Sequence, residues 1–173
     1  MNRAITPHII RFVGLLLLQV LVLKHITPGW EGFHYVQIFI YPLFVMLLPF
    51  RTPMVWLLLS AFAMGIIIDF FYDSIGLHAS ASVFVAYVRP AFLRWLVPRG
   101  GYVISQSPTK DYLGWPWFLR YASLMLATHL FFYFSVEYFT FVYIVEILLK
   151  TAASFVASMI FILMAVSIFN PKA

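Results

Sequence analysis

Cysteine is absent from the chain, which excludes disulfides, thiolate metal sites and a cysteine nucleophile and leaves the redox compartment unreadable. Charge is nearly as scarce. Asp, Glu, Lys and Arg make up 10% of 173 residues, against about a quarter in a soluble domain. The acids are the scarcer sign, six against eleven Lys and Arg, for a net charge of +5. Catalytic signatures are also missing: there is no Gly-x-Ser-x-Gly elbow, no His-Glu-x-x-His zinc pair and no Gly-x-x-x-x-Gly-Lys phosphate loop. Arg89-Pro90 matches the opening of a membrane phosphatase motif, but the Pro-Ser-Gly-His and the later Arg and His of that motif do not follow. No catalytic, cofactor-binding or metal-ligating residue is therefore expected.

Apolar surface takes the place of charge. Sixty-four per cent of the residues are hydrophobic, with 19 Phe, 10 Tyr and 5 Trp, and the mean hydropathy is +0.96. A bilayer helix needs about 20 apolar residues to cross about 30 Å of hydrocarbon, so a chain of this length holds about six and little else. The expectation is an all-α, polytopic membrane protein: one domain over residues 1–173, with six transmembrane helices in one bundle.

Punctuation places the spans. The first, 12–26, follows Arg3 and Arg11 and closes at Lys24, His25 and the Thr27-Pro28-Gly29 turn; no small-residue cleavage site follows, so it is expected to be retained. The second, 35–50, ends where Pro49 and Pro53 flank Arg51, because proline breaks the helical ladder and drives its predecessor to extended backbone. The third, 54–72, stops at Asp73-Ser74-Ile75-Gly76, and the fourth, 77–97, at Pro98-Arg99-Gly100-Gly101. A polar stretch from Tyr102 to Trp115 precedes the fifth, 116–136. The sixth, 141–169, is long enough for a tilted or interfacial first turn.

Orientation follows from the cations. With the N-terminus inside, the inner face collects Arg3, Arg11, Arg51, Arg94, Arg99, Lys110, Arg120 and Lys172, and the outer loops carry only Lys24. The positive-inside rule then puts both termini in the cytoplasm, which agrees with an even number of spans. The same distribution argues against nucleic acid as a partner, since the basic residues are scattered between apolar spans. Trp30, Tyr35, Tyr72, Trp95, Trp115, Trp117 and Tyr138 fall at span ends, where amphipathic rings anchor at the headgroups.

Polar residues inside the spans are the candidates for function. Asp69 stands four residues after Gly65, so a neighbouring helix can approach at the glycine while the carboxylate accepts its hydrogen bonds. A structural helix-helix bond, a cap for the next helix and a partner contact are all open to it. Arg89 lies about 18 Å along the fourth helix, where it can snorkel toward the cytoplasmic headgroups, and Pro90 opens the ladder one turn back. Glu146 and Lys150 have the favourable order for a pair on one helix face, with a bond across the bundle as the alternative. Gln19, Gln37 and His129 are single polar groups of the kind that hold membrane helices together. Ala79, Ser80, Ala81, Ser82 and Ala86, facing Ala61, Ala63 and Gly65, make a closely packed hairpin with Asp73 and Gly76 at its tip.

These residues carry a resemblance. The tract Ala61-Phe-Ala-Met-Gly65-Ile-Ile-Ile-Asp69, followed by Gly76-Leu-His-Ala79-Ser-Ala81 and Ala86-Tyr-Val-Arg89-Pro90, resembles the third-to-fourth helix region of MreD, the rod shape-determining membrane protein family of bacteria. Leu15-Leu-Leu-Leu-Gln19-Val-Leu-Val, and the run from Tyr41-Pro42-Leu43-Phe44 to Leu48-Pro49, resemble its first two helices. Pro98-Arg-Gly-Gly-Tyr102 resembles the start of the long inner loop in Bacteroidota relatives. The resemblance implies a non-enzymatic scaffold of the cell-elongation machinery in the bacterial cytoplasmic membrane. It would touch the bitopic protein MreC directly and, through the complex, MreB, RodA and a class-B penicillin-binding protein. It also implies a fold similar to the substrate-binding subunits of energy-coupling-factor transporters, and structural or partner-facing roles for Gly65, Asp69 and Gly76. The competing expectation from the same fold is a subunit that binds a small, vitamin-like molecule near Asp69, His78 and Trp30, beside an ATPase pair.

Overall fold

The computed structural model describes residues 6–26 and 36–169. Five long helices dominate them, and no strand occurs among the described residues. Helix α1 runs Thr6–Ile26, with one π-helical stretch at Leu18–Leu23. A short α2, Pro42–Met46, precedes α3 (Met54–Tyr72), α4 (Leu77–Trp95), a single turn α5 (Lys110–Leu113) and α6 (Trp115–Tyr138). A 3-10 turn, Phe141–Tyr143, leads into α7 (Ile144–Phe169). Thr27-Pro28-Gly29, Trp30, Tyr35, Arg3 and Lys172 lie outside the described residues.

Local sequence explains most of the boundaries. Pro53 precedes α3, and Pro116 sits in the first turn of α6, where the missing N–H is no loss. The α3–α4 turn is made by two left-handed residues, Asp73 (φ 53°) and Gly76 (φ 81°). At the end of α6 Phe139 takes the same region (φ 52°), unusual for a bulky side chain. Helices α3, α4, α6 and α7 pack in that order, and α1 lies against α3. Helix α3 and the turn plus α7 occupy 54–72 and 141–169, α4 stops two residues before the expected 97, α6 runs past the expected 136 to Tyr138, and α1 starts earlier than the expected 12.

Among the described residues three helices are long and apolar enough to cross a membrane: α1, α3 and the Phe141–Phe169 segment. Each of them exposes large aliphatic side chains. On α7 the buried stripe holds Ser154 and Ser158 among Ile147, Ile162, Ala165 and Val166, while Leu148, Leu149, Val156, Ile160 and Ile168 are exposed. Aliphatic side chains outward and hydroxyls inward suit a lipid solvent.

The second span departs from expectation. Residues 35–50 were expected as one helix; instead 36–40 are extended and only Pro42–Met46 is helical. Val36, Ile38 and Ile40 are β-branched and stiff at χ1, which favours extended backbone. A helix running through Pro42 would also leave the Ile38 carbonyl without its i+4 donor. Even so, every residue from Ile38 to Leu48 is buried. The segment threads the centre of the bundle, touching α1, α3, α4 and α6. It descends along α6, with Phe39 against Tyr133 (4.9 Å between rings), Tyr41 against His129 and the Met46 carbonyl at Tyr121. That covers about 18 Å of helix axis.

Below it, the loop after α4 folds back under the bundle. Phe50 and Arg51 donate their N–H groups to Gln106 and Ile104, each at 3.0 Å. Tyr102 stacks on Phe50 (4.3 Å) and donates to the Leu93 carbonyl at 2.8 Å; burial pushes its phenol up to about 12. Ser107 and Thr109 are buried there.

Candidate functional site

The irregular segment sets a backbone accounting problem. Unpaired N–H and C=O groups buried away from water each cost free energy comparable to a lost hydrogen bond, and lipid offers them no partner. Side chains from distant helices supply the partners. Ser154 accepts the N–H of Gln37 (2.9 Å) and Ser158 that of Phe39 (2.8 Å). Gln19 works on the other edge: its Oε1 accepts the N–H of Ile40 (2.9 Å), while its Nε2 donates to the Ile38 carbonyl (3.0 Å) and to the Tyr72 hydroxyl (2.8 Å). The carbonyl that Pro42 would orphan is thus the one Gln19 takes. Gln19 itself lies in the π-helical stretch and is fully buried. Lower down, Tyr41 shares a 2.7 Å hydrogen bond with His129.

Arg89 closes the lower end. Its side chain was open to snorkelling toward the headgroups; it turns inward instead and is 2% exposed. Its Nε donates to the Tyr121 hydroxyl at 3.0 Å and its Nη2 to the Leu48 carbonyl. The Tyr121 hydroxyl in turn donates a hydrogen bond to the Met46 carbonyl at 3.2 Å. The Met46 carbonyl at the end of α2, which a helix leaves open, is therefore capped by a phenol, and the Leu48 carbonyl just beyond the helix by a guanidinium. Helix α4 runs on through Pro90 to Trp95. No carboxylate pairs with Arg89 among the described residues.

Asp69 occupies the opposite end. It sits in the last turn of α3, where a carboxylate opposes its own helix dipole, yet it faces the N-terminus of α4, where a negative charge is favoured. Its Oδ1 accepts the His78 N–H (2.9 Å), the Ser74 hydroxyl (2.9 Å) and His78 Nδ1 (3.0 Å), and its Oδ2 accepts the Ala79 N–H (3.0 Å). The carboxylate caps a helix to which it does not belong. Because a carboxylate only accepts, the network assigns the His78 proton to Nδ1. Phe39, Tyr41, Tyr72 and Tyr133 surround the ring at 4.9 to 5.7 Å.

Gly65 makes this reach possible. A Cβ added there would come within 2.4 Å of the Ala79 Cα and 2.6 Å of the His78 carbonyl, so only glycine permits the contact. Gly76 serves the same joint through its left-handed conformation, with open space around it. The structure thus brings Gly65, Asp69 and Gly76 into one helix-helix joint.

The Glu146–Lys150 pair does not form as the local spacing suggests. Lys150 reaches Glu137 on α6 at 3.3 Å and lies over the Tyr138 ring at 4.8 Å. Glu146 has no partner among the described residues. The bond across the bundle replaces the pair within α7, because α6 and α7 pack side by side and Tyr138 adds a cation-π face.

Sequence reasoning passed over Ser154, Ser158, Tyr121, Ser74 and Glu137. Ser154 and Ser158 did carry a signal: two hydroxyls four residues apart on an apolar helix share one face. For Tyr121 and Glu137 no local pattern exists. Among the described residues no three His, Asp or Glu side chains stand close enough to hold a metal ion. Comparison with protein families, with curated proteins and with solved structures finds no match.

Proposed function

We propose that this chain is a non-enzymatic, multi-pass membrane scaffold of the bacterial cell-elongation complex, in the manner of the MreD family it resembles. One observation carries the reading. Asp69, Arg89, Gln19, Ser154 and Ser158 are each engaged in helix capping or in holding the broken second span, and what the bundle presents outward is apolar helix surface. A protein built this way offers contacts to other membrane proteins. In this reading the chain crosses the bilayer six times, residues 36–50 forming a broken crossing whose backbone is satisfied by protein. Both termini lie in the cytoplasm, and the fold is of the kind used by energy-coupling-factor substrate-binding subunits. MreC is the direct partner, and MreB, RodA and a class-B penicillin-binding protein are reached through the complex.

Purification of the native complex from its host tests this. Recovery of the chain with a bitopic coiled-coil protein and a cell-wall polymerase is expected, as is rounding of rod-shaped cells on depletion. Unchanged cell shape, with the chain recovered alone, rejects it.

A second reading has one observation in its favour: unwound backbone at membrane depth lines the substrate sites of many transporters, and residues 36–40 are unwound. On that reading a small molecule binds beside Phe39, Tyr41 and His78, and the purified chain shows saturable, stoichiometric binding of a vitamin-like ligand. The scaffold reading expects none. Of the residues first considered for that pocket, Asp69 and His78 are bonded to each other, and Trp30 lies outside the described residues.

A further inference from the structure

Charge in this bundle is polarised along its axis. At the end holding the α4–α6 loop, Arg51, Arg94, Arg99 and Arg120 are exposed, and none of the four guanidinium groups has a protein partner among the described residues. The nearby carboxylate, Asp111, is engaged by Lys110 at 3.1 Å. At the opposite end stand Asp69, Asp73, Glu137 and Glu146, with Lys24 and Lys150 turned onto the Phe71 carbonyl and Glu137.

The arginines are held in one tier by the fold. Trp117 donates its indole N–H to the Leu96 carbonyl at 2.7 Å, which ties the start of α6 to the end of α4 and brings Arg94 and Arg120 to the same level. The Arg51 N–H to Ile104 bond ties in the loop. Apolar side chains share this tier, facing outward: Trp95 is 79% exposed, Ile104 69% and Val97 54%. Cations alone would suit an acidic protein in water. Cations alternating with an exposed indole and aliphatic side chains suit the plane where phosphate groups meet acyl chains.

We infer that the rim formed by Arg94, Arg99 and Arg120, with Arg51 beside them, is a seat for anionic phospholipid headgroups. This rests on the membrane reading above. The arginines supply paired N–H donors to phosphate oxygens. Trp95, Val97 and Ile104 dip into the acyl boundary and fix the depth.

The test uses the full chain in nanodiscs made from equal parts of phosphatidylcholine and phosphatidylglycerol, with the lipids that stay bound identified by mass spectrometry. Wild-type protein should retain phosphatidylglycerol over phosphatidylcholine by about fivefold for each arginine engaged, and the Arg94→Gln, Arg99→Gln, Arg120→Gln variant should return to the bulk ratio. The single variants Arg94→Gln and Arg99→Gln, at exposed positions, should each lose part of the preference and cover the case in which the triple variant does not fold. Inorganic phosphate should not displace the lipid; displacement by phosphate alone would make the rim a general anion site and overturn the assignment. Retention at the bulk ratio by wild type, with an acidic protein captured at the rim instead, would also overturn it. A chain that cannot be placed in nanodiscs defeats the membrane reading itself, whereas one that enters without lipid preference defeats this inference alone.

Discussion

Lys150 bonds to Glu137, thirteen residues back and on another helix, although Glu146 stands one turn away on its own. The Tyr138 ring lies under the same ammonium at 4.8 Å. This pair fastens α7 to α6 near the turn that joins them. The neighbouring Glu146 is left to solvent, headgroups or a partner.

Neutralising the two acids should separate these roles. Glu137→Gln should lower thermal stability in detergent by about 0.5–1 kcal/mol, the range for a partly exposed ion pair. Glu146→Gln should stay within about 0.5 kcal/mol of wild type. Equal losses would mean that Lys150 divides itself between both carboxylates.

Gly65 should tolerate no side chain. Gly65→Ala places a methyl group within 2.4 Å of backbone, so α3 and α4 must separate, at about 1–3 kcal/mol or more. Gly14 has nothing within 4 Å of an added Cβ, and Gly14→Ala should leave stability unchanged or raise it by up to about 1 kcal/mol through helix propensity. Melting curves of the two variants read the difference directly; a stable Gly65→Ala protein would refute the close approach.

Asp69→Ala removes the acceptor for four donors at once and should destabilise by about 3–5 kcal/mol, the cost of stripping a buried charged partner. On the scaffold reading proposed above it should also weaken co-purification of MreC more than Glu146→Ala does, because the α3–α4 joint lies at the tip of the small-residue hairpin. Similar recovery of MreC with both variants would remove Asp69 from the assembly argument while leaving its capping role intact.

The segment 36–50 gives the most local readout. Replacing Ser154 and Ser158 by Ala orphans the N–H groups of Gln37 and Phe39, at about 1–3 kcal/mol each. Hydrogen exchange should accelerate at residues 37–40 before any change in α3 or α4. Acceleration spread evenly over the chain would mean that the segment has no separate stability.

Much of the α3–α4 joint was legible because its parts are close in sequence. Gly65 and Asp69 stand one turn apart, Gly76 follows in the connecting turn, and a carboxylate beside a small residue at that spacing has few uses inside a membrane. The helix ends at Tyr72, Trp95 and Tyr138 were legible to within two residues for a similar reason, since proline, glycine and aromatic rings act locally. The fate of 35–50 was not. A buried apolar run reads alike whether it is helical or extended, and the β-branched Val36, Ile38 and Ile40 were hints without a partner. What allows the extended form is Gln19 on one side and Ser154 and Ser158 on the other, more than a hundred residues further along. The partners of Arg89 were illegible for the same reason, because Tyr121 and the Leu48 carbonyl come from elements that no local spacing connects to it.

Composition by itself determined that the chain favours lipid over water, and its cations determined a charge asymmetry between alternate loops, since transfer free energy and net charge add up residue by residue wherever the residues sit. Only the tertiary structure decided which polar groups meet. A hydrogen bond needs two atoms within about 3 Å, and in this bundle those atoms come from helices far apart in the chain, so the pairing of Lys150, the inward turn of Arg89 and the extended backbone at 36–40 emerge only once the helices are packed.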